Sequence, residues 1–170
     1  MSDLLPVVLP SAALLCALFG AVVLGGLLIA RDALVPDYPP AIRERYGPRS
    51  ALGTRVARLM GAANAVLFAA VPVAGMLLLR ERTGAELGFW PGFWFGVIVF
   101  AALNLFDLLV LDWWLFCTVR PRILVLPGTE GMAEYGDRAF HARVLWPGVL
   151  IAVPGYGALI GAATVAVEWW

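Results

Sequence analysis

The chain has no lysine, and all 12 of its basic residues are arginine. A GC-rich genome accounts for that bias as readily as any chemistry. Acidic residues also number 12, so the formal net charge is zero. That balance argues against a nucleic-acid partner, because non-specific binding rests on an excess of cations that neutralise phosphate. Histidine occurs once, at His141, which excludes a two-histidine metal site within a monomer. The two cysteines, Cys16 and Cys117, make no disulfide framework. They fall at different depths of different apolar runs, so their separation should exceed the ~7 Å limit on Cα distance in a disulfide. No GxxxxGK[ST], GxGxxG, HExxH or GxSxG pattern is present, so phosphate loops, zinc-protease helices and nucleophile elbows are absent.

What the chain has instead is apolar surface. Hydrophobic residues make up 62% of it and charged residues 14%, with a mean hydropathy of +0.87. Soluble domains carry roughly 25% charged residues, so this composition belongs to a membrane protein. Four apolar stretches, at about 7–30, 56–79, 93–119 and 144–167, are each long enough to cross a bilayer. They lack the alternation of barrel strands, and only helices or closed barrels satisfy the backbone in lipid. The expected fold is all-α: one polytopic domain, 1–170, of four transmembrane helices. The first stretch has no cationic flank ahead of it, with Asp3 its only neighbouring charge, and is read as a retained span rather than a cleaved signal.

Arginine placement sets the expected orientation. The loop 31–55 with the adjoining helix end holds Arg31, Arg43, Arg45, Arg49, Arg55 and Arg58, and the loop 120–143 holds Arg120, Arg122, Arg138 and Arg143. The short connection between the second and third spans has only Arg80 and Arg82. The positive-inside rule then places both long loops in the cytoplasm and both termini outside, with the bacterial cytoplasmic membrane the expected location. Trp90, Trp94, Trp113, Trp114, Trp146, Trp169 and Trp170 fit aromatic belts at the two interfaces.

Small residues recur every four positions at Ala17, Ala21 and Gly25, at Gly61, Ala65 and Ala69, and at Gly157 and Gly161. Such stripes let helices approach closely, either to seal the bundle or to receive a membrane-protein partner or a second copy. Pro72 and Pro154 fall mid-span, where a kink would shape a cavity. The first loop is rich in turns, with a brief helix expected at 41–46. Its Arg43, Arg45 and Arg49, with Arg120 and Arg122 of the other loop, are candidates for anionic lipid headgroups or a phosphate.

Chemistry concentrates in the third span. Asp107 and Asp112 interrupt its apolar run, with Asn104 just ahead of them. A carboxylate at such depth faces a partner or a watered cavity. In an α-helix Asn104 and Asp107 share a face, whereas Asp107 and Asp112 stand about 140° apart and about 7.5 Å apart along the axis. Asp107 with Asn104 and Asn64 is therefore a candidate ligand or proton site. Its structural alternative is a hydrogen bond to Asn64 or Tyr156. Asp112, nearer the interface, is expected to pair with Arg120 or Arg122, or to join a site.

The second long loop supplies the partners for such a site. It opens with the apolar run 123–126, turns at Pro127–Gly128 and Gly131, and then carries Glu134, Asp137 and His141 at helical spacing if 132–143 is one helix. A loop of this kind is expected to fold back on the membrane face, bringing Glu130 and His141 toward Asp112 as catalytic candidates. Glu130, Glu134, Asp137 and His141 would suit a divalent metal such as zinc, manganese or iron. Alternatively, the segment is a solvated helix with a Glu134–Arg138 pair.

Three functions follow from these features. The first is an accessory or scaffold subunit in the inner membrane, with membrane lipids and a protein partner. The second is a small membrane-embedded enzyme for a lipophilic substrate, using Asp112, Glu130 and His141. The third is an ion- or proton-coupled transport component built on Asp107.

Overall fold

A computed structural model describes residues 4–84 and 86–168, and Trp169 and Trp170 lie outside the described residues. Helix α1 runs Leu5–Ile29, a short α2 runs Pro40–Tyr46, and α3 runs Ala51–Thr83. Helix α4 begins at Phe89, passes without a break at Asp107 into a π-helix, and ends at Val119; α5 runs Arg138–Glu168. The described residues contain no strand. Four of these helices, α1, α3, α4 and α5, are long and apolar enough to cross a membrane. The chain is a multi-pass membrane protein built as a four-helix bundle.

Local sequence explains where the helices begin and end. Ser50 caps α3 by accepting a hydrogen bond from the Gly53 N–H at 2.9 Å, satisfying one of the amides that a first turn leaves open. Asp137 does the same for α5, accepting from the Phe140 N–H at 2.9 Å. Gly84 closes α3 in the left-handed region, φ 62°, where a side chain is strained. Helix α2 starts at Pro40, whose missing N–H is no loss in a first turn. Pro72 and Pro154 lie within α3 and α5, both of which continue through them.

Only between 22% and 33% of each span's apolar window is buried inside the bundle. The outward residues are large and apolar, among them Leu28, Leu59, Ile151 and Leu159, so the outer surface is one that lipid covers. Trp90, Trp94, Trp114 and Trp146 are all more than half exposed.

The small-residue stripes divide. Gly157 meets the Phe93 carbonyl and Val97, and Gly161 meets Phe89, so the α5 stripe seals α5 against α4. A Cβ at Gly157 would lie 2.9 Å from a backbone oxygen, which explains the glycine there. Ala17, Ala21, Ala65 and Ala69 instead face outward, and Gly25 and Gly61 have open space where a Cβ would stand.

Among the described residues the interior has two larger cores with a gap between them, and a small third cluster of Ala30, Ala33, Val56 and Met60. One core, away from the arginine-rich loops, packs Val8 and Leu15 of α1 with Val71 of α3 and Phe95 and Val99 of α4. The other lies beneath the loops and packs Leu27, Tyr38, Ile42, Phe116, Leu126 and Tyr135. In this second core the two long loops are tied together: the Tyr38 hydroxyl donates to the Leu124 carbonyl at 2.8 Å. The Leu126 N–H donates to the Tyr135 hydroxyl at 2.9 Å, and Thr129 meets that hydroxyl at 2.7 Å.

The second loop departs from its sequence reading. In place of a single helix over 132–143 there is a 3-10 turn at Ala133–Gly136, and α5 begins only at Arg138. Asp137, as the cap, stops the helix from extending backward, and Gly136 beside it weakens any continuation.

Candidate functional site

A cavity of about 820 Å³ opens between the two larger cores, within the ~300–1,000 Å³ of ordinary ligand pockets. Its wall is mostly apolar, with Phe19 and Leu24 of α1, Met60 of α3 and Phe100 of α4 among its residues. Into this wall project Asp37, Arg43, Asn64, Asn104, Asp107, Asp112 and His141. Helices α3 and α5 touch sparingly. They meet where the Tyr156 hydroxyl donates to the Phe68 carbonyl. From there toward the arginine-rich loops, their residues Ala57, Gly61, Val144, Gly148 and Ala152 line the cavity.

The π-helix determines which acids share this space. Its hydrogen bonds join residues five apart, as in Arg120 N–H to the Leu115 carbonyl at 2.8 Å. Residues at that spacing fall on nearly one side, so Asp107 and Asp112 both face the cavity. The α-helical expectation of about 140° between them does not hold, because the span changes helix type at Asp107. Sequence periodicity carries no sign of that change.

His141, near the start of α5, is 7% exposed. Its Nδ1 lies 3.2 Å from Asp112 Oδ1, and the rings of Phe116 and Phe140 stand edge-on at 5.0 and 5.2 Å. An ionised carboxylate only accepts, so a neutral His141 carries its proton on Nδ1 and presents a lone pair at Nε2. That Nε2 is buried and, among the described residues, has no hydrogen-bond partner. The Asn64 Oδ1 is likewise buried and unpartnered.

The remaining candidates are placed as follows. Asp112 pairs with His141 rather than with Arg120 or Arg122: Arg120 donates to the Cys117 carbonyl at 2.8 Å, and Arg122 is exposed. Arg45 and Arg49 hold the Gly128 and Ala33 carbonyls at 3.2 and 2.9 Å, so both act as staples between loop segments. Arg43 borders the cavity. The alternative partners for Asp107 are not assembled, since Tyr156 donates to Phe68 instead. Asn104 turns its amide back to the Phe100 carbonyl at 2.7 Å.

The metal set expected of the second loop is not brought together. Among the described residues no three His, Cys, Asp or Glu side chains converge on a metal position. Glu130 is exposed in a turn away from the cavity wall. Asp137 caps α5 and faces Arg143 at 3.9 Å. The helix that would have aligned Glu134 with His141 is interrupted.

Asp37 is the site residue that sequence reasoning missed. It ends a 3-10 turn, Val35–Asp37, that Pro36 starts, and it lies on the cavity wall within electrostatic reach of Asp112. Crowding by the wall, and then the charge of Asp112, push its carboxyl above the ordinary carboxylate value. Its only signal in the sequence is an acid between prolines in a turn-rich loop.

The chain matches no family model, no curated protein and no solved structure.

Proposed function

We propose that this membrane protein takes one amphiphilic molecule into the cavity and that His141, oriented by Asp112, exchanges a proton with its polar head. The observation that carries the reading is the His141–Asp112 pair: one imidazole nitrogen fixed by a carboxylate, the other unpartnered and buried on the wall of a large apolar cavity. This arrangement of base and orienting acid is how proton-transfer sites are built. Among the described residues the cavity wall carries no serine, threonine or cysteine, so the reading is of acid–base chemistry without a covalent intermediate on those groups.

An amphiphile fits for two reasons. The wall is apolar, and the gap between α3 and α5 faces the bilayer from within two spanning helices. With the arginine-rich loops in the cytoplasm, as the positive-inside rule has it, the molecule comes from the inner leaflet of a bacterial cytoplasmic membrane. Both termini then lie outside.

Native mass spectrometry of the full chain, extracted gently from its own membrane, tests this reading. One retained small amphiphile per chain is expected, lost in His141→Gln and Asp112→Asn proteins that still fold. A bare wild-type chain would refute it.

A second reading, an accessory subunit, is favoured by the outward stripes Ala17–Ala21–Gly25 and Ala65–Ala69. Its sign in the same experiment is a stoichiometric polypeptide partner.

A further inference from the structure

On the reading that the cavity takes an amphiphile, we infer that the head it accepts is a protonated amine. The groups that face the cavity are unbalanced in both charge and hydrogen-bonding sense. Three carboxyl groups, Asp37, Asp107 and Asp112, stand against one guanidinium, Arg43, and one imidazole, His141. Asp37 and Asp107 each feel the charge of Asp112. Carboxyl groups gathered at one wall repel one another when ionised, and a cation between them relieves that repulsion.

The hydrogen-bonding sense points the same way. Several donors at the wall are already engaged within the protein. Tyr38 donates to the Leu124 carbonyl at 2.8 Å, Asn104 to the Phe100 carbonyl at 2.7 Å, and Arg43 turns to the Pro36 carbonyl at 3.5 Å. Among the described residues two buried acceptors stay without a partner, Asn64 Oδ1 and His141 Nε2, and the carboxyl groups add more acceptor capacity. A phosphate or sulfate head, which brings only acceptors and negative charge, would leave these groups unmet. A primary ammonium brings three donors and the missing positive charge.

The site also has a place for the proton. With Nδ1 held by Asp112, His141 Nε2 is free to accept one proton from the ammonium, leaving a neutral amine and an imidazolium beside Asp112. No bond other than N–H forms or breaks.

The test uses the purified full chain in neutral micelles, offered dodecylamine, dodecyl phosphate, dodecanol or butylamine, with bound mass and thermal unfolding as readouts. One dodecylamine per chain is expected, held about tenfold or more tighter than dodecyl phosphate or dodecanol, a ratio worth about 1.4 kcal/mol. Asp107→Asn should weaken it by about the same factor; if that variant does not fold, the exposed Asp37→Asn takes its place. Equal or tighter retention of dodecyl phosphate or dodecanol would overturn the ammonium head while leaving the amphiphile site standing. Equal retention of butylamine would uphold the cation and refute the amphiphile. Retention of none of the four would refute both.

Discussion

His141 Nδ1 of α5 lies 3.2 Å from Asp112 Oδ1 of α4, and this contact joins two spanning helices at the wall of the cavity. The histidine side chain is 6% exposed and the aspartate 27%, so water competes only weakly for the pair. Removing either partner leaves the other poorly satisfied. Asp112→Asn and His141→Gln should each destabilise the fold, and a double-mutant cycle by thermal unfolding should give a coupling of about 1–3 kcal/mol. Strict additivity would show that the pair does not act as a unit.

The two long loops are fastened by phenols. Tyr38→Phe removes the donor to the Leu124 carbonyl, and Tyr135→Phe removes the hydroxyl that meets the Leu126 N–H and Thr129. Each leaves a buried backbone group without its partner, at a cost of about 1–3 kcal/mol. Burial keeps the Tyr38 phenol protonated well above its ordinary range, so it stays a donor. Limited proteolysis within 121–136 should quicken in both variants while the spans stay protected. Unchanged cleavage would show that the loops are held by other contacts.

Acid should loosen the start of α3. Asp32 is 6% exposed and accepts a hydrogen bond from the Ser50 N–H at 2.6 Å. Burial alone would raise its carboxyl, but the Ser50 hydrogen bonds, with help from Tyr46, outweigh it and hold the group below its ordinary value of 3.8. A carboxyl lowered by folding contributes stability above its unfolded pKa and loses it as pH falls through the folded one. The loss should therefore appear only below about pH 4, and Asp32→Ala should remove it along with about 1–3 kcal/mol at neutral pH. Identical acid melting of both proteins would contradict this.

Glycines on one helix should behave oppositely. Gly157→Ala places a Cβ 2.6 Å from Val97 and 2.9 Å from the Phe93 carbonyl, and overpacking of this kind costs about 1–3 kcal/mol. Gly155→Ala meets open space and should be neutral or stabilise by up to about 1 kcal/mol. Thermal unfolding in micelles separates the two, and equal effects would refute the close α4–α5 contact.

Much of this fold was legible in the sequence because apolar length alone decides it. Four runs that lipid must cover fix four helices, whatever their internal detail. Of the expected approach of Glu130 and His141 to Asp112, only the histidine stands beside the aspartate, while Glu130 stays exposed in its turn. Other features were hidden for physical reasons. The switch to i→i+5 bonding at Asp107 leaves the residue pattern unchanged, so the shared face of Asp107 and Asp112 could not be read. The expected metal set is not gathered among the described residues, where Asp137 caps α5 and so starts the helix after Glu134. Asp37 was hidden because its role comes from α4 and α5, which are remote in sequence.

Photocross-linking from inside the cavity tests the central claim most directly. A photoreactive residue replaces Val149, which lines the cavity, or its neighbour Leu150, which is 69% exposed, and the chain is irradiated in its native membrane. From position 149 the expected product is one defined amphiphile adduct, and from position 150 the mixed lipids of the bilayer. The same mixed lipids from both positions, or a polypeptide adduct from position 149, would contradict a cavity built to hold one molecule.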